Sequence, residues 1–342
     1  MAGARPGPYG GAVLSPPEGL PEQVLVSALE REWGVRAVSL AYCPVGFGSH
    51  HWEVVDTRGT RWFVTVDELE TKRWTRHEPP GATFARLRAA LTAARDLRDH
   101  GHAFVVAPVA ARDGEPLART GDRFAVALYP FVAGRSFSWG EFASPDHRRA
   151  LVDLVIAVHT APEAARRHAP VDDFTVAHRD ELEAALDPTG EVEEHGPYTR
   201  PMAALLRAHA TPVRRLLDRY DRLVAGARAE PARTVFTHGE PHPGNTMLAS
   251  GGWRLIDWDT ALVAPPERDL WDLDPGDGSV LAAYRDATGT APVPAMLELY
   301  RIRWDLSDLA VDVSRFRRHH PGNPDDDKSW HIMCQLVESL SG

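Results

Sequence analysis

Residues 237–245 read THGEPHPGN. Two histidines, a glutamate and an asparagine are interleaved there with Gly239, Gly244, Pro241 and Pro243. Proline lacks a backbone donor and fixes φ, so the stretch fits neither a helix interior nor a paired strand. It must be an irregular polar loop carried by a scaffold. The residues that follow, NTMLASGGWRLIDWD, hold two short apolar runs around ASGG, which signals a hairpin. Pairing Leu248 with Trp253 across the turn sets Asn245 opposite Ile256, beside Asp257. An amide oxygen and a carboxylate then converge at the open end of the hairpin, and Glu240 is presented to the same space by the proline-stiffened loop. Hard oxygen donors of this kind suit Mg²⁺, which needs few protein ligands because water and phosphates supply the others.

A carboxylate, an asparagine five residues later and an aspartate after a hairpin form the arrangement that phosphoryl transfer uses. The pattern resembles the aminoglycoside phosphotransferase family, whose catalytic loop reads H-G-D-x-H-x-x-N, followed by I-D-[WF]. Here these stand as HGEPHPGN and LIDWD, and the later APPERDLW (264–271) looks like the spectinomycin-phosphotransferase-type branch. The resemblance implies an α+β, two-lobed protein-kinase-like fold, Mg²⁺, and ATP or GTP as phosphate donor. It gives Glu240 the position of the catalytic base and Asn245 and Asp257 the metal positions. His238 would brace the loop by hydrogen bonds, as would His242. Gly46, Gly48 and Ser49 of VGFGSHHW would cap phosphates through backbone donors. A connector from Tyr129 to Gly134, including Phe131, would meet the nucleotide base.

Three departures from the pattern stand out. Glu240 occupies a position where the family usually has aspartate. The strand lysine that grips phosphates falls on Thr65. The following helix, residues 83–99, has no glutamate to pair with such a lysine. Both members of the lysine–glutamate pair are missing together, which is self-consistent because an orphaned buried glutamate is costly. Phosphate anchoring is left to backbone N–H groups, Mg²⁺ and an arginine or histidine. Only Lys72 and Lys328 are lysines, and Lys72, beyond the strand, either reaches in towards the phosphates or, as the favoured reading, lies on the surface.

The rest of the chain fits this organisation. Residues 38–66 alternate and turn like an antiparallel meander. A helix follows over 83–101, then strand candidates FVVAPVA and RFAVALYPFV, and a connector VAGRS at 132–136. Beyond it the chain reads as helical, with Ser144 and Pro145 opening a helix and further helices over 201–229 and 293–313. Three segments are therefore expected: a disordered, Pro/Gly-rich 1–20, a nucleotide-binding lobe over 21–131, and a catalytic and substrate-binding lobe over 132–342. Glu267, Arg268 and Asp269 read as helix-capping residues that pair with each other, with contact to substrate as the alternative, and Asp259 as either a second layer behind the metal site or a solvated turn residue. DPGDG and Asp325–Asp327 read as solvated loops, with attraction of a cation as the alternative.

Composition narrows the partners. A net charge of −10 disfavours nucleic acid and suits a cationic small molecule. No run is apolar and long enough for a membrane helix, no signal peptide is read, and two distant cysteines suggest a cytoplasmic, reducing setting. No Walker A loop, G-x-S-x-G elbow, H-E-x-x-H motif or zinc-spaced cysteine pair occurs. A zinc site at His238, Glu240 and His242 is disfavoured by the intervening prolines. The expected activity is phosphorylation of a hydroxyl of an aminoglycoside- or aminocyclitol-type antibiotic. Two other readings stand beside it: a metabolic kinase for an amino alcohol, sugar or nucleoside, and a pseudokinase-like binding protein.

Overall fold

The computed structural model describes residues 15–46, 48–187, 189–190, 192–230 and 233–340. Helix α1 (Glu22–Trp33) ends at Gly34, whose φ of 72° is the left-handed cap that glycine adopts without strain. Strands β1 (Ala37–Cys43), β2 (His50–Asp56) and β3 (Arg61–Glu68) follow as the expected antiparallel meander. Next come α2 (Pro80–Asp99), β4 (Ala118–Thr120), β5 (Phe124–Pro130) and β6 (Gly134–Ser136). In α3 (Pro145–His159) the Ser144 hydroxyl accepts the His147 N–H at 3.2 Å, with Pro145 in the first turn. Helices α4 (Arg179–Ala185), α5 (Thr199–Ala208) and α6 (Ala210–Ala229) lead to the short strands β7 (Val235–Thr237), β8 (Thr246–Ala249), β9 (Gly252–Leu255) and β10 (Leu262–Ala264). The chain closes with α7 (Glu267–Leu270), α8 (Ser279–Thr288), α9 (Pro294–Phe316) and α10 (Pro324–Ser339). An antiparallel sheet comes first and helices dominate afterwards, the α+β class read from the sequence.

The described residues form two compact units. One takes in the chain up to Lys72, Pro79–Asp172 and Arg233–Pro292; the other takes in Arg73–Glu78 and the described parts of 173–232 and 293–342. The catalytic-loop candidate thus shares a unit with the antiparallel sheet.

That sheet runs β1-β2-β3-β5-β4. Side chains alternate across a strand, and here the alternation sorts chemistry from core. Trp52, Val54, Val64, Val66, Phe124, Val126 and Leu128 share one buried cluster with Leu25 and Leu29 of α1. The intervening residues of β2 and β3 (His51, Phe63, Thr65 and Asp67) fall on the opposite face.

Several expectations fail. Residues 132–136 are not a mere connector: β6 pairs with β8, Arg135 opposite Leu248, and joins β9 in a three-stranded sheet. FVVAPVA forms no strand beyond a single bridge from Val105 to Leu255, because Pro108 cannot donate to a ladder. The helix read over 201–229 is two helices broken at His209. Pro212 can be housed only in a helix's first turn, since its ring would clash with the carbonyl of Ala208 in a continuous helix. Asp325–Asp327 form the first turn of α10, where Asn323 and Asp326 make a capping box. Of the segment 1–20, residues 1–14 lie outside the described residues, while Leu20 is buried in the core.

Candidate active site

The loop after β7 is braced from beneath by buried polar groups. The Asp269 carboxylate accepts the backbone N–H of His238 at 2.8 Å and of Gly239 at 2.6 Å, and His159 Nε2 lies 3.1 Å away. His159 Nδ1 in turn meets the Tyr284 hydroxyl at 2.9 Å. Burial opposes the charge on Asp269, but its bond to His159 and the nearby positive groups hold the carboxyl below the usual range. Arg268 donates to Thr237 Oγ1 at 2.9 Å and to the Thr260 carbonyl at 2.8 Å, while Glu267 pairs with Arg233 at 3.1 Å. This ERD segment is therefore a clamp under the loop, a role its sequence did not reveal. Gly239 has φ 103°, and a Cβ there would strike the Arg268 guanidinium.

Asp269→Ala strips two buried N–H groups and a buried histidine of their acceptor. Removing one partner of such a buried network costs roughly 3–5 kcal/mol, so the variant's denaturant midpoint should fall sharply with an unchanged slope. A midpoint within error of the parent would refute the clamp.

The tautomer of His238 follows from its partners. Nε2 lies 2.8 Å from the Ile256 carbonyl, which can only accept, and Nδ1 accepts the Glu240 N–H at 3.2 Å. Burial holds the ring neutral. Both nitrogens are engaged, which leaves neither for zinc, and among the described residues no group of three or more His, Cys, Asp or Glu is placed to hold a metal. His242 braces the loop by its backbone and not by its ring. Its N–H donates to the Glu240 carbonyl at 2.9 Å and its carbonyl accepts the Asn245 N–H at 3.0 Å. The ring packs edge-on against Trp139, centroids 3.9 Å apart.

The hairpin has the expected register, Leu248 opposite Trp253. The Ile256 N–H donates to the Asn245 carbonyl at 2.9 Å. Asn245 Nδ2 donates to the Glu240 carbonyl at 3.0 Å, which ties the loop to the hairpin and leaves Oδ1 unspent. Asp257 has φ 66°, a left-handed conformation rare for residues other than glycine, asparagine and aspartate. Trp258, the next residue, is buried against Phe236 and His238. The enclosing protein, then the charges of Asp259 and Glu240, push the Asp257 carboxyl well above its usual range. Burial, then Asp259, pushes Glu240 up to about 7.

Lys72 reaches in, against the favoured of its two sequence readings. It is no free surface residue: its Nζ lies 2.7 Å from Asp259 Oδ2 and 3.3 Å from Asp67 Oδ1. Asp259 is accordingly an ion-pair partner and not a solvated turn residue. Burial opposes the ammonium, yet Asp259 and Asp67 hold it well above its ordinary range. The Ser49 hydroxyl donates to Asp67 at 2.6 Å, so the glycine-rich turn is fastened to β3. Thr65 lies 3.2 Å from His51 Nδ1. Burial, then Lys72, lowers the His51 ring to about 4, so it is neutral near pH 7. At the end of β5, Tyr129 pairs with Phe63 of β3, and the Phe131 ring is covered by the Arg61 guanidinium, 3.6 Å from its centroid.

The profile of a phosphotransferase enzyme family, APH, matches residues 41–310. The chain belongs to this family. It is 32% identical to Protein StrN of Streptomyces griseus over 259 residues, 72% of this chain and 75% of that one. A spectinomycin phosphotransferase solved with ADP and spectinomycin superposes with TM-score 0.65 at 16% identity, over 94% of this chain and 97% of that one. An ethanolamine kinase of Plasmodium vivax superposes with TM-score 0.59 at 11% identity, over 96% and 98%. The fold is thus that of kinase-like phosphotransferases, and the protein is a phosphotransferase. No described helix is long and apolar enough to cross a membrane.

Proposed function

We propose that this phosphotransferase moves the γ-phosphate of ATP or GTP, with Mg²⁺, to a hydroxyl of an aminoglycoside- or aminocyclitol-type antibiotic and so confers resistance. The observation that carries the reading is one loop and one hairpin that bring together a carboxyl, an amide and a second carboxyl. The Asn245 amide donates to the main-chain carbonyl of Glu240 at 3.0 Å, and the charges of Glu240 and Asp257 repel each other. In this reading Asn245 Oδ1 and Asp257 hold the metal. The fit is physical: the charges of Asp259 and Glu240 repel the Asp257 carboxylate, so a divalent ion beside it and the Asn245 amide oxygen would relieve the repulsion. Such an ion, once bound, neutralises charge on the transferring phosphoryl oxygens.

Glu240 orients the acceptor hydroxyl and takes its proton. His238 keeps Glu240 in place through the Nδ1 bond to its N–H. Gly46, Gly48 and Ser49 offer backbone donors, and Tyr129 and Phe131 mark the connector that meets the base. The lobes would divide near residue 132. The overall charge of −10 favours a cationic acceptor.

A Glu240 carboxyl near 7 predicts a pH profile. Below that value it carries a proton and cannot accept one, so kcat/KM should rise with pH towards about 7 and level off above it. Added positive charge from a divalent ion should move the limb downward. Profiles at limiting and saturating Mg²⁺ check both, and a flat profile from pH 5 to 8 counts against Glu240 as the base.

A metabolic kinase for an amino alcohol is the second reading, favoured by the likeness in fold to the ethanolamine kinase and to a microcompartment-associated aminopropanol kinase at TM-score 0.59. Expression in a sensitive host, with transfer assays on spectinomycin, aminoglycosides and ethanolamine, separates the two. A raised inhibitory concentration with matching transfer supports the antibiotic. Transfer to the amino alcohol without resistance supports the alternative.

A further inference from the structure

Strand β3 carries no lysine for a nucleotide: Thr65 stands at the lysine position, its one cation, Arg61, is engaged with Glu53 and Phe131, and α2 carries no glutamate. We propose that Lys72 grips the nucleotide phosphates from the turn after β3, and that Arg86 on α2 positions it through its backbone. The proposal rests on the kinase reading above and deepens it.

The chain turns back immediately after β3. The N–H groups of Thr71 and Lys72 donate to the Glu68 carbonyl at 3.1 and 3.3 Å. This turn throws the Lys72 side chain over the strand face that bears Thr65 and Asp67. Its Nζ ends 2.7 Å from Asp259, two residues beyond the proposed metal ligand Asp257. The same Nζ lies 3.9 Å from the point a Cβ on Gly48 would occupy. The ammonium therefore stands between the hairpin end and the glycine-rich turn, where phosphates must pass if both groups hold them. Lys328, the other lysine, lies on α10 in the other compact unit.

The means of positioning is inverted relative to a strand lysine paired with a helix glutamate. Arg86 Nη2 donates to the Lys72 carbonyl at 2.6 Å, so the helix holds the lysine's backbone and not its ammonium. The carboxylate that steadies the ammonium comes from the strand, as Asp67. Asp67 Oδ1 also accepts from Ser49, so one buried carboxylate couples the lysine to the glycine-rich turn. Lys72 is the counter-ion of Asp259, and phosphate oxygens would replace that partner.

Affinities for ATP and ADP with Mg²⁺, and for adenosine alone, test the proposal on the full chain. Charged hydrogen bonds are lost at a cost that converts to roughly a tenfold to hundredfold change in affinity. Lys72→Met should weaken ATP and ADP by that factor and leave adenosine unchanged, a split that a merely structural role would not produce. The double variant Lys72→Gln with Asp259→Asn removes the pair together, guards against misfolding from an orphaned charge, and should show the same split. Arg86→Ala should give a smaller loss confined to ATP and ADP, and Arg86→Lys should recover part of it. Unchanged ATP binding in both lysine variants, or a parallel loss of adenosine, overturns the role of Lys72. Unchanged ATP binding in Arg86→Ala overturns the positioning. If the unaltered protein binds no nucleotide, the kinase reading itself fails, and that result is seen before any variant is made.

Discussion

Glu240→Gln should lower kcat by at least about a hundredfold while leaving Mg-nucleotide affinity nearly unchanged. The amide keeps the size of the side chain and cannot take a proton. Its effect therefore isolates proton acceptance from packing. The Glu240 N–H bond to His238 and the Asn245 bond to the Glu240 carbonyl both involve backbone atoms, so the loop survives the substitution. Glu240→Asp restores the residue usual in the family and tests geometry instead. It draws the carboxylate back by one methylene, and a misplacement of about 1 Å can cost on the order of a hundredfold. Steady-state turnover alongside nucleotide binding decides the matter. Full turnover by the glutamine variant would remove Glu240 from the chemistry.

Asp257→Asn should have effects of opposite sign on stability and on binding. The carboxyl is pushed well above its usual range by enclosure and by Asp259 and Glu240, so a neutral isostere relieves repulsion and should raise or hold the melting temperature. Asparagine also tolerates the left-handed backbone at φ 66°, which alanine would strain. The same change removes the charge proposed to hold the metal. Metal interactions of this kind are worth several kcal/mol, so metal-dependent nucleotide affinity should fall on the order of a hundredfold or more. A ligand at about 100 times its Kd adds roughly 2.7 kcal/mol to the parent protein. A thermal-shift comparison with Mg-ATP, Mg-GTP and Mg²⁺ alone should show that gain in the parent and its absence in the variant. Equal stabilisation of both proteins would take the metal away from Asp257. Divergent activity and stability of this sort are expected where a site keeps like charges together for function.

Much of the hairpin was legible because its information is local. Two apolar runs around ASGG determine a register, and the register carries Asn245 to the neighbourhood of Asp257 without reference to the rest of the fold. The prolines of the loop likewise exclude a continuous helix or strand, so β7 stops at Thr237 and only a single 3-10 turn forms, over Pro243–Asn245. The meander of β1, β2 and β3 was readable by the same logic, since a period of two survives any packing. By contrast, β6 is three residues long and finds its partner β8 far along the chain. Nothing within GRS announces that pairing.

The polar residues divide along the same line. Asp269, Arg268 and Glu267 looked like a self-contained helix start, because sequence neighbours are what a sequence displays. Their partners are the backbone of His238 and Gly239, Thr237 and Thr260, and Arg233, brought near only when β7 and β10 pair.

By itself the sequence determined the order of elements, the chemistry of the loop and hairpin, and the absence of a lysine on β3. Only the tertiary structure decided where Lys72 goes. Its partner Asp259 is 187 residues away, and an ion pair across that separation depends on how strand, turn and hairpin pack. Local periodicity carries no record of such packing, since any charged residue beyond a strand can equally well face water.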